Sequence, residues 1–336
     1  MTLGGLQVIV TGGAGFIGNE VTRQLLARGA RVSVIDNFVN GKPENLADLD
    51  PTRLTIARLD VRDIDRVRPL FGSADLVLHL ACLGVRHSLH APLENHEVNA
   101  TATLRLLELA RTSGVKRFVY VSTSEVYGTA RTAPMTEDHP TFPLTVYGAS
   151  KLAGERYTDA YWKTWKYPAS VVRPFNAFGP RSHHEGDSGE VIPKFMLRGM
   201  AGMPLVIHGD GAQTRDFTFV SDTARGIIES ALTDKTIGET VNLGSGREVT
   251  ILELSGLIGQ VLGGRNVQVT HGPDRPGDVR RLIADSGKAS TLFGFRPQVA
   301  LRDGLAILRD WYQQSGRSVE EMLRDERPVN WTAPSA

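Results

Sequence analysis

Short apolar segments alternate with longer segments whose apolar residues recur every three or four positions through the first half of the chain. The short segments predict buried β-strands, and the longer ones predict amphipathic helices. The predicted strands are 6–10, 31–35, 54–59, 75–80, 117–121 and 169–173, and the predicted helices are 16–27, 92–112 and 147–165. This alternation predicts an α/β fold with a doubly wound parallel sheet and helices on both faces.

The second half of the chain is less regular. Residues 174–188 are rich in Gly, Pro, His and Asp, which predicts a long loop. The pattern then predicts helices at 190–200, 221–232, 251–262 and 301–312, strands at 204–208, 241–243 and 267–270, and a polar turn at 213–216. Ser221 is the predicted N-cap of its helix. These short elements indicate a smaller, mixed α/β lobe over the carboxyl edge of the sheet.

Three glycines, Gly12, Gly15 and Gly18, fill the turn between the first predicted strand and helix. Gly12 permits a tight turn, Gly15 leaves room for a pyrophosphate, and Gly18 lets the helix pack closely on the strand. The first N–H groups of the helix and its dipole would then face the phosphates. A glycine turn that binds nothing is the alternative, but the position between strand and helix favours dinucleotide binding.

The second predicted strand is followed by Asp36, which lies 18 residues after Gly18. A carboxylate at this strand end can accept hydrogen bonds from an adenosine ribose and would repel a 2′-phosphate. We therefore expect NAD rather than NADP.

Tyr147 and Lys151 are four residues apart at the start of a long predicted helix, so they share one helical face. Tyrosine has an ordinary pKa of about 10 and is a poor base at neutral pH. A nearby ammonium and an oxidised nicotinamide both favour the phenolate, which would let Tyr147 accept a proton from a sugar hydroxyl. A surface Tyr/Lys pair on an ordinary helix is the alternative.

Composition narrows the functional classes. The chain has 336 residues, 41% of them hydrophobic, and a formal net charge of +1 without a Lys/Arg cluster, which argues against a nucleic-acid ligand. No apolar run approaches 18 residues, so no membrane partner is expected. A single cysteine, Cys82, excludes an internal disulfide, and we expect a cytoplasmic protein. The run His183-His184-Glu185 does not place its side chains on one helical face, so no metal site is predicted.

These motifs together resemble the extended short-chain dehydrogenase/reductase superfamily, in its nucleotide-sugar epimerase, dehydratase and decarboxylase group. The resemblance covers about residues 6–315. It implies a Rossmann-type NAD-binding domain over residues 1–174, with strands returning from the second half, and a nucleotide-sugar-binding lobe over 175–325. Residues 326–336, which contain Pro and Ser, are expected to be a loose tail.

The resemblance also implies roles for individual residues. The implied cofactor-binding residues are Gly12, Gly15, Phe16, Ile17, Gly18, Asp36, Asn37, Asp60, Val61, Leu80, Ala81, Cys82, Asn99, Tyr147 and Lys151. The implied UDP-sugar-binding residues are Arg86, Thr123, Asn176, Val191, Val206, His208, Arg215 and Arg275. The implied catalytic residues are Thr123, Ser124, Glu125, Tyr147 and Lys151. Arg215 and Arg275 suit a diphosphate because guanidinium offers bidentate donors.

The triplet after the fifth strand bears on which sugar reaction follows. In the resembling 4,6-dehydratases an Asp-Glu pair follows the strand-end Thr, whereas Ser124 stands in place of the Asp here. Thr123-Ser124-Glu125 resembles the triplet of UDP-glucuronate decarboxylases, but the short spacing from Glu125 to Tyr147 resembles the epimerases. The sequence therefore favours a 4-epimerase of a UDP-hexose or UDP-hexuronate. A UDP-glucuronate decarboxylase is the alternative, and a non-catalytic NAD-binding protein is a third interpretation.

The resemblance further implies a homodimer. Its two long helices, 92–112 and 147–165, would pair across a two-fold axis into a four-helix bundle. Leu104, Leu107 and Tyr161 are among the apolar side chains that these helices carry, together with Tyr157.

Overall fold

The computed structural model describes residues 3–327 and 329–332, and its main sheet consists of parallel strands. These strands are β1 (Gln7–Thr11), β2 (Arg31–Asp36), β3 (Leu54–Arg58), β4 (Leu76–His79), β5 (Arg117–Val121), β6 (Ala169–Pro174) and β10 (Thr240–Leu243). Their order is β10-β6-β5-β4-β1-β2-β3. The chain starts at β1 and winds outwards in both directions, so the order reverses between β1 and β4. Ligands of such sheets bind at the carboxyl ends of the strands beside this reversal.

Helices cover both faces of the main sheet, as the alternation predicted. Those near the sheet are α1 (Phe16–Ala27), α2 (Ile64–Phe71), α3 (Val85–His90), α4 (Pro92–His96), α5 (Ala102–Thr112), α6 (Val146–Trp165), α8 (Val220–Leu232) and α10 (Gly287–Phe293). Alternate residues of β1 explain the two layers, because Val8 and Val10 face the core under α1 and α8, whereas Ile9 faces the core under α5 and α6. The long helix predicted at 92–112 is present, but its middle, Glu97–Thr101, is a wider π-helical turn.

A second lobe of small sheets and helices follows β6. Its strands are β7 (Asn176–Phe178), β9 (Thr214–Phe219) and β11 (Glu248–Thr250) in one sheet, and β8 (Leu205–His208) and β12 (Val269–Gly272) in another. Its helices are α7 (Val191–Met200), α9 (Ile251–Val261), α11 (Leu301–Gln314) and α12 (Val319–Arg324). The α/β class with a smaller mixed lobe is therefore confirmed. Both β10 and α8 come from the second half of the chain but pack with the main sheet.

Three local predictions in the second half were wrong. The polar turn expected at 213–216 is the first part of β9, and the loop expected at 174–188 contains β7. Asp216 of β9 is buried, and its carboxylate accepts hydrogen bonds from the backbone of Ala284 and Ser245 at 3.0 and 2.7 Å. Finally, α8 begins at Val220 with Phe219 in the N-cap position, so Ser221 does not cap it.

The end of the chain also differs from the loose tail that we expected. Arg198 on α7 donates to both carboxylate oxygens of Glu326, at 2.8 and 3.0 Å. Asn330 is buried and donates to the carbonyl of Gly189 at 3.1 Å. Polar side chains that bond to the body of the protein hold this segment in place. Residues 328 and 333–336 lie outside the described residues.

The long helices offer less apolar surface than the dimer prediction assumed. Leu107 and Tyr161 are buried in the protomer, where they join the core under the main sheet. Leu104 is 37% exposed. Within residues 3–327 and 329–332, no helix has both the length and the apolar character that crossing a bilayer requires.

Candidate active site

A cavity of about 740 Å³ opens where the carboxyl ends of β1, β2, β4, β5 and β6 meet the second lobe. It is lined by every residue that the sequence implicated in cofactor binding, substrate binding or catalysis, with the exception of Asn99. Residues distant in sequence therefore share one site. Asp36 from β2 and Arg275 from the loop after β12 illustrate how much of the chain contributes.

Asn99 has a structural position instead of the predicted cofactor contact. It is buried in the π-helical turn, and its amide bonds to both the N–H and the carbonyl of Leu83 at 2.9 Å. It also donates to Asn95 at 3.0 Å and to Ser150 at 3.2 Å. Asn99 thus fastens the segment after β4 to two helices, and its amide N–H groups are used within the protein.

The glycine loop has the geometry that a dinucleotide needs. Gly12 has φ of +70°, and a Cβ atom there would lie 2.8 Å from the backbone of Ala81. A Cβ atom on Gly18 would overlap the carbonyl of Gly12. Helix α1 can therefore approach the loop this closely only because residue 18 has no side chain. Gly15 is the N-cap residue of α1, and no side chain caps the helix. The N–H groups at this helix end can therefore bind phosphate oxygens.

Asp36 is held beside this loop at the end of β2. Its carboxylate accepts hydrogen bonds from the backbone N–H groups of Ala14 at 3.0 Å and Phe38 at 2.8 Å. Burial nevertheless raises the pKa of Asp36 above its usual value. A Cβ atom on Gly41 would lie 2.9 Å from the carboxylate oxygens, so this glycine, which sequence reasoning missed, leaves Asp36 open to the cavity. The position suits a ribose diol.

Asp60 forms the neighbouring wall. Arg62 donates to both of its carboxylate oxygens at 2.8–2.9 Å, and Asn37 adds a bond of 2.9 Å. The hydrogen bond from Arg62 is the main reason why the pKa of Asp60 falls to about 2. Asp60 therefore remains an ionised acceptor at the cavity surface, positioned by an arginine that the sequence had not indicated.

A buried network positions the segment after β4. The Thr11 hydroxyl accepts from the N–H groups of Leu80 and Ala81 at 3.2 and 3.1 Å, and it bonds to His79 Nδ1 at 2.7 Å. The other ring nitrogen of His79 bonds to Thr103 at 2.9 Å. Burial lowers the pKa of His79 to about 3, so the ring is neutral. Sequence reasoning missed Thr11, whose place directly before Gly12 was the available signal.

The predicted catalytic residues meet where α6 begins. Thr145 caps α6 by accepting from the N–H of Gly148 at 3.1 Å. A Cβ atom on Gly148 would lie 2.8 Å from the carbonyl oxygen of Glu125, so this glycine allows α6 to approach the turn after β5. The approach brings the Tyr147 phenol to the Thr123 hydroxyl, and both groups line the cavity.

The electrostatics of Tyr147 differ from the sequence-based expectation. Lys151 Nζ donates to the carbonyl of Val121 at 2.7 Å and lies 4.4 Å from the ring centre of Tyr120. Burial raises the pKa of Tyr147 well above its ordinary value, and its hydrogen bond with Thr123 opposes this only in part. Among the protein groups, burial therefore outweighs the lowering of the Tyr147 pKa that the sequence predicted from Lys151. Burial also lowers the pKa of Lys151 itself.

Positive charge gathers at the opposite wall of the cavity. Arg215 donates to Asp278 at 2.6 Å and to the carbonyl of Val279 at 2.7 Å, while Arg275 lies 4.0 Å from the same carboxylate. The buried Nε groups of Arg86 and Arg275 have no hydrogen-bond partner among residues 3–327 and 329–332. Buried donors without partners are costly, so these two guanidinium groups suit an anionic ligand.

Two further titratable residues in the cavity were not on the predicted list. Burial raises the pKa of Glu190, the N-cap residue of α7, to about 7. One turn later, burial lowers the pKa of Lys194 to about 7, although its Nζ donates to the carbonyl of Arg327 at 2.6 Å. In the sequence Glu190 marked only the start of a helix, and Lys194 ended a segment, beginning at Val191, that the resemblance placed around the nucleotide base. Their burial depends on the second lobe.

Comparison with known proteins agrees with this site. A family model described as GDP-mannose 4,6-dehydratase matches residues 9–308. The chain is 32% identical to a putative UDP-glucose 4-epimerase of Methanocaldococcus jannaschii, with 93% of this chain and 100% of that protein covered. It is 34% identical to UDP-glucuronic acid decarboxylase 1 of Danio rerio, with 89% of this chain and 71% of that protein covered.

A solved structure is similar over the same range. A UDP-glucuronic acid 4-epimerase mutant of Bacillus cereus, in complex with NAD and a fluorinated UDP-glucuronic acid, superimposes with a TM-score of 0.86 at 32% identity. The match covers 92% of this chain and 100% of the other. The fold and the site thus define a Rossmann-type NAD-dependent enzyme that modifies nucleotide sugars. The chain belongs to the extended short-chain dehydrogenase/reductase family of nucleotide-sugar epimerases, dehydratases and decarboxylases.

Proposed function

We propose that the protein is a 4-epimerase of a UDP-hexose or UDP-hexuronate that works through a transient 4-keto sugar. The observation that carries the proposal is that Thr123, Tyr147 and Lys151 line the same cavity as Arg215 and Arg275. Residues of one wall can therefore accept a proton from a sugar hydroxyl, while the arginines of the other wall bind a diphosphate.

The cavity would hold NAD along the glycine loop, with Asp36 at the adenosine ribose and Asp60 at the adenine. When bound, NAD would accept a hydride from sugar carbon 4 and later return it to that carbon. Tyr147 accepts the proton of the 4-hydroxyl and gives it back when the ketone is reduced. Because the pKa of Tyr147 is high in the protein alone, its activation depends on the positive charge of the oxidised cofactor as well as on Thr123.

Thr123 has its own part in this step. Its Oγ1 accepts a hydrogen bond from the backbone N–H of Glu125 at 3.2 Å. That bond occupies a lone pair and not the hydroxyl proton, so Thr123 can turn this proton from Tyr147 to the sugar oxygen that Tyr147 deprotonates. Lys151 is held by the carbonyl of Val121 and lies behind Tyr147, where its ammonium can bind a ribose hydroxyl.

Ser124 supports epimerisation over 4,6-dehydration. It lines the cavity beside Thr123, and a serine hydroxyl cannot serve as the carboxylic acid that protonates a departing 6-hydroxyl. Epimerisation needs no such acid, since the keto sugar only has to rotate in the site so that hydride returns to the opposite face of carbon 4.

Glu125 favours a second candidate, a UDP-glucuronate decarboxylase. Its carboxylate lines the cavity, and the charges of Arg215, Arg86 and Arg275 act on it, although burial dominates and raises its pKa. A carboxyl group in this place could supply the proton that replaces CO₂ on carbon 5. Relatives of this class are as similar to the chain as the epimerases are.

Product analysis separates the two candidates. The purified protein with NAD is incubated with UDP-glucose, UDP-N-acetylglucosamine and UDP-glucuronate, and the products are identified by NMR. A 4-epimer from any of these sugars supports the proposal, whereas a UDP-pentose from UDP-glucuronate establishes the decarboxylase. Binding of a UDP-sugar without conversion would contradict both.

Glu125→Gln tests the same distinction through one residue. A 4-epimerase should keep at least about a tenth of its turnover, because hydrogen transfer at carbon 4 needs no second carboxyl group. A decarboxylase that uses Glu125 should lose CO₂ release by a factor of about 10²–10⁴, typical of general acid–base catalysis. Ser122→Ala is the matched control, since Ser122 lines the cavity three residues before Glu125 but carries no carboxyl group.

A further inference from the structure

The last described residues of the chain pack against the cavity wall. We name residues 326, 327 and 329–331 the C-terminal strap. The family model ends at residue 308, so the strap lies beyond the part of the chain that defines the family. Glu326 itself lines the cavity.

The strap is fixed to α7 on one side. Arg198 bonds to the Glu326 carboxylate at 2.8 Å, and this pair is largely shielded from solvent. Lys194 donates to the carbonyl of Arg327 at 2.6 Å. Both α7 residues also line the cavity, so the strap bonds directly to its wall.

Asn330 fixes the strap to a second part of the wall. The side chain is 1% exposed, and its Nδ2 lies 3.1 Å from the carbonyl of Gly189 and 3.4 Å from those of Gly186 and Asp187. These residues form the loop that leads into Glu190. The strap therefore supports the loop that carries a cavity carboxyl group.

Trp331 completes the strap behind the positive wall. The guanidinium carbon of Arg275 lies 5.6 Å from the centre of the Trp331 ring, within the range of a cation–π contact. The indole also meets His208 edge to face, at 4.6 Å between ring centres. Arg275 and His208 line the cavity, so Trp331, which does not line the cavity itself, contacts two residues that do.

We infer that Trp331 is a positioning residue for the nucleotide diphosphate, because it holds Arg275 and His208 in their orientation toward the cavity. This inference rests on the proposed function, which places the diphosphate at Arg275. A long arginine side chain loses rotamer freedom when a ligand binds, and a preorganised one loses less. The strap thus adds affinity for the nucleotide without contacting the reacting sugar.

Calorimetric binding of UDP to the full-length protein tests the inference. Trp331→Ala should raise the Kd for UDP about tenfold, the effect of losing one partly buried cation–π contact. The Kd for NAD and the kcat at saturating UDP-sugar should stay within about twofold of wild type, because Trp331 does not line the cavity and contacts Arg275 and His208 rather than Tyr147 or Thr123. Trp331→Phe keeps an aromatic face and should restore most of the affinity. Val329→Ala is the matched control on the same segment, where Val329 is 40% exposed.

Three outcomes would contradict the inference, and one of them would also contradict the proposed function. Equal UDP affinity in wild type and Trp331→Ala would overturn the inference alone, as would an equal loss in Trp331→Phe and Trp331→Ala. No UDP binding by the wild type would overturn the proposed function and the inference with it. If Trp331→Ala does not fold, Trp331→Leu keeps an apolar side chain without the π face and decides the same question.

Discussion

The protonation state of Tyr147 depends strongly on the groups that surround its phenol. Burial disfavours the phenolate, and the hydrogen bond with the Thr123 hydroxyl counters it only in part. The protein alone thus keeps the phenol protonated. Proton transfer is coupled in this way to the presence of the oxidised cofactor, which brings the positive charge that the phenolate needs.

Tyr147→Phe isolates this proton transfer. The ring stays in place while the proton acceptor is lost, so kcat should fall by a factor of about 10²–10⁴. Binding of UDP, measured by calorimetry, should be unchanged because the diphosphate is assigned to Arg215 and Arg275. Tyr157→Phe, on the same helix but outside the cavity, is the control. Wild-type turnover in Tyr147→Phe would refute the mechanism for every sugar considered.

Glu190 makes the stability of the folded protein depend on pH. Its pKa rises from the ordinary 4.5 to about 7 because burial disfavours the charged form, against the pull of His183 and Arg86 and with the repulsion of Glu185. Between these two pH values the folded protein binds a proton that the unfolded chain releases. The contribution of Glu190 to stability is therefore full below about pH 4.5 and falls as the pH rises toward about 7.

Glu190→Gln removes this titration. The variant should gain melting temperature relative to wild type as the pH rises from 5 to 8, since an amide stays neutral throughout. Thermal unfolding of both proteins at several pH values measures the difference. A difference that does not change with pH would mean that Glu190 titrates alike in the folded and unfolded states. Glu94→Gln, in an exposed ion pair on α4, serves as the control.

At the scale of single elements, α6 is fastened to the sheet by a buried ion pair. Arg173 on β6 donates two hydrogen bonds to Glu155 on α6, at 2.8 and 2.6 Å, and both side chains are almost fully buried. Arg173 also donates to the Tyr127 hydroxyl at 2.7 Å. Since Tyr147 and Lys151 lie on α6, this pair holds the catalytic helix against the sheet.

Glu155→Ala leaves Arg173 buried without its counter-charge and should lower the free energy of unfolding by about 3–5 kcal/mol. Asp159→Ala breaks the exposed pair with Lys163 on the same helix and should cost less than about 1 kcal/mol. Urea unfolding followed by circular dichroism compares the two. A similar small loss in both variants would show that the buried pair contributes no more than a surface pair.

The helices and strands also show how much of the fold can be predicted from the sequence. Periodic apolar residues and the three glycines were enough to predict the class of fold, since these signals are local and each agrees with the others. Residues that follow buried strands, such as Asp36 and Thr123, were found because parallel strands share one carboxyl edge. By contrast, β9 looked like a polar turn, because the partners that satisfy Asp216 come from distant segments.

The parts of the site that sequence reasoning missed have the same cause. Nothing near Glu190 or Lys194 in the chain reveals that the second lobe will bury them. Asn330 looked like part of a loose tail, yet it is buried because the loop around Gly189 presents carbonyl groups to it. Asn99 shows the converse case, in which a motif position implied a ligand contact but the buried side chain bonds to the backbone of Leu83 and to two neighbouring side chains.

At the scale of the whole molecule, we propose that two copies associate through the faces of α5 and α6. The two helices lie side by side on one face of the sheet. Leu107 and Tyr161 are buried within the protomer, so the pairing surface would be formed by more exposed residues, Leu104 among them at 37% exposure and Trp165 at 51%. Partly exposed aromatic and aliphatic side chains are enriched at such interfaces.

Leu104→Glu tests this assembly. A carboxylate placed in the centre of a two-fold interface meets its own copy, so two unpaired charges are buried at once and association should weaken by a factor of at least about 10². Sedimentation velocity at micromolar concentration should give twice the protomer mass for wild type and the protomer mass for the variant. Leu252→Glu, on α9 of the second lobe and 52% exposed, should remain dimeric. A monomeric wild type would refute the dimer, and a dimeric Leu104→Glu would place the interface on another face.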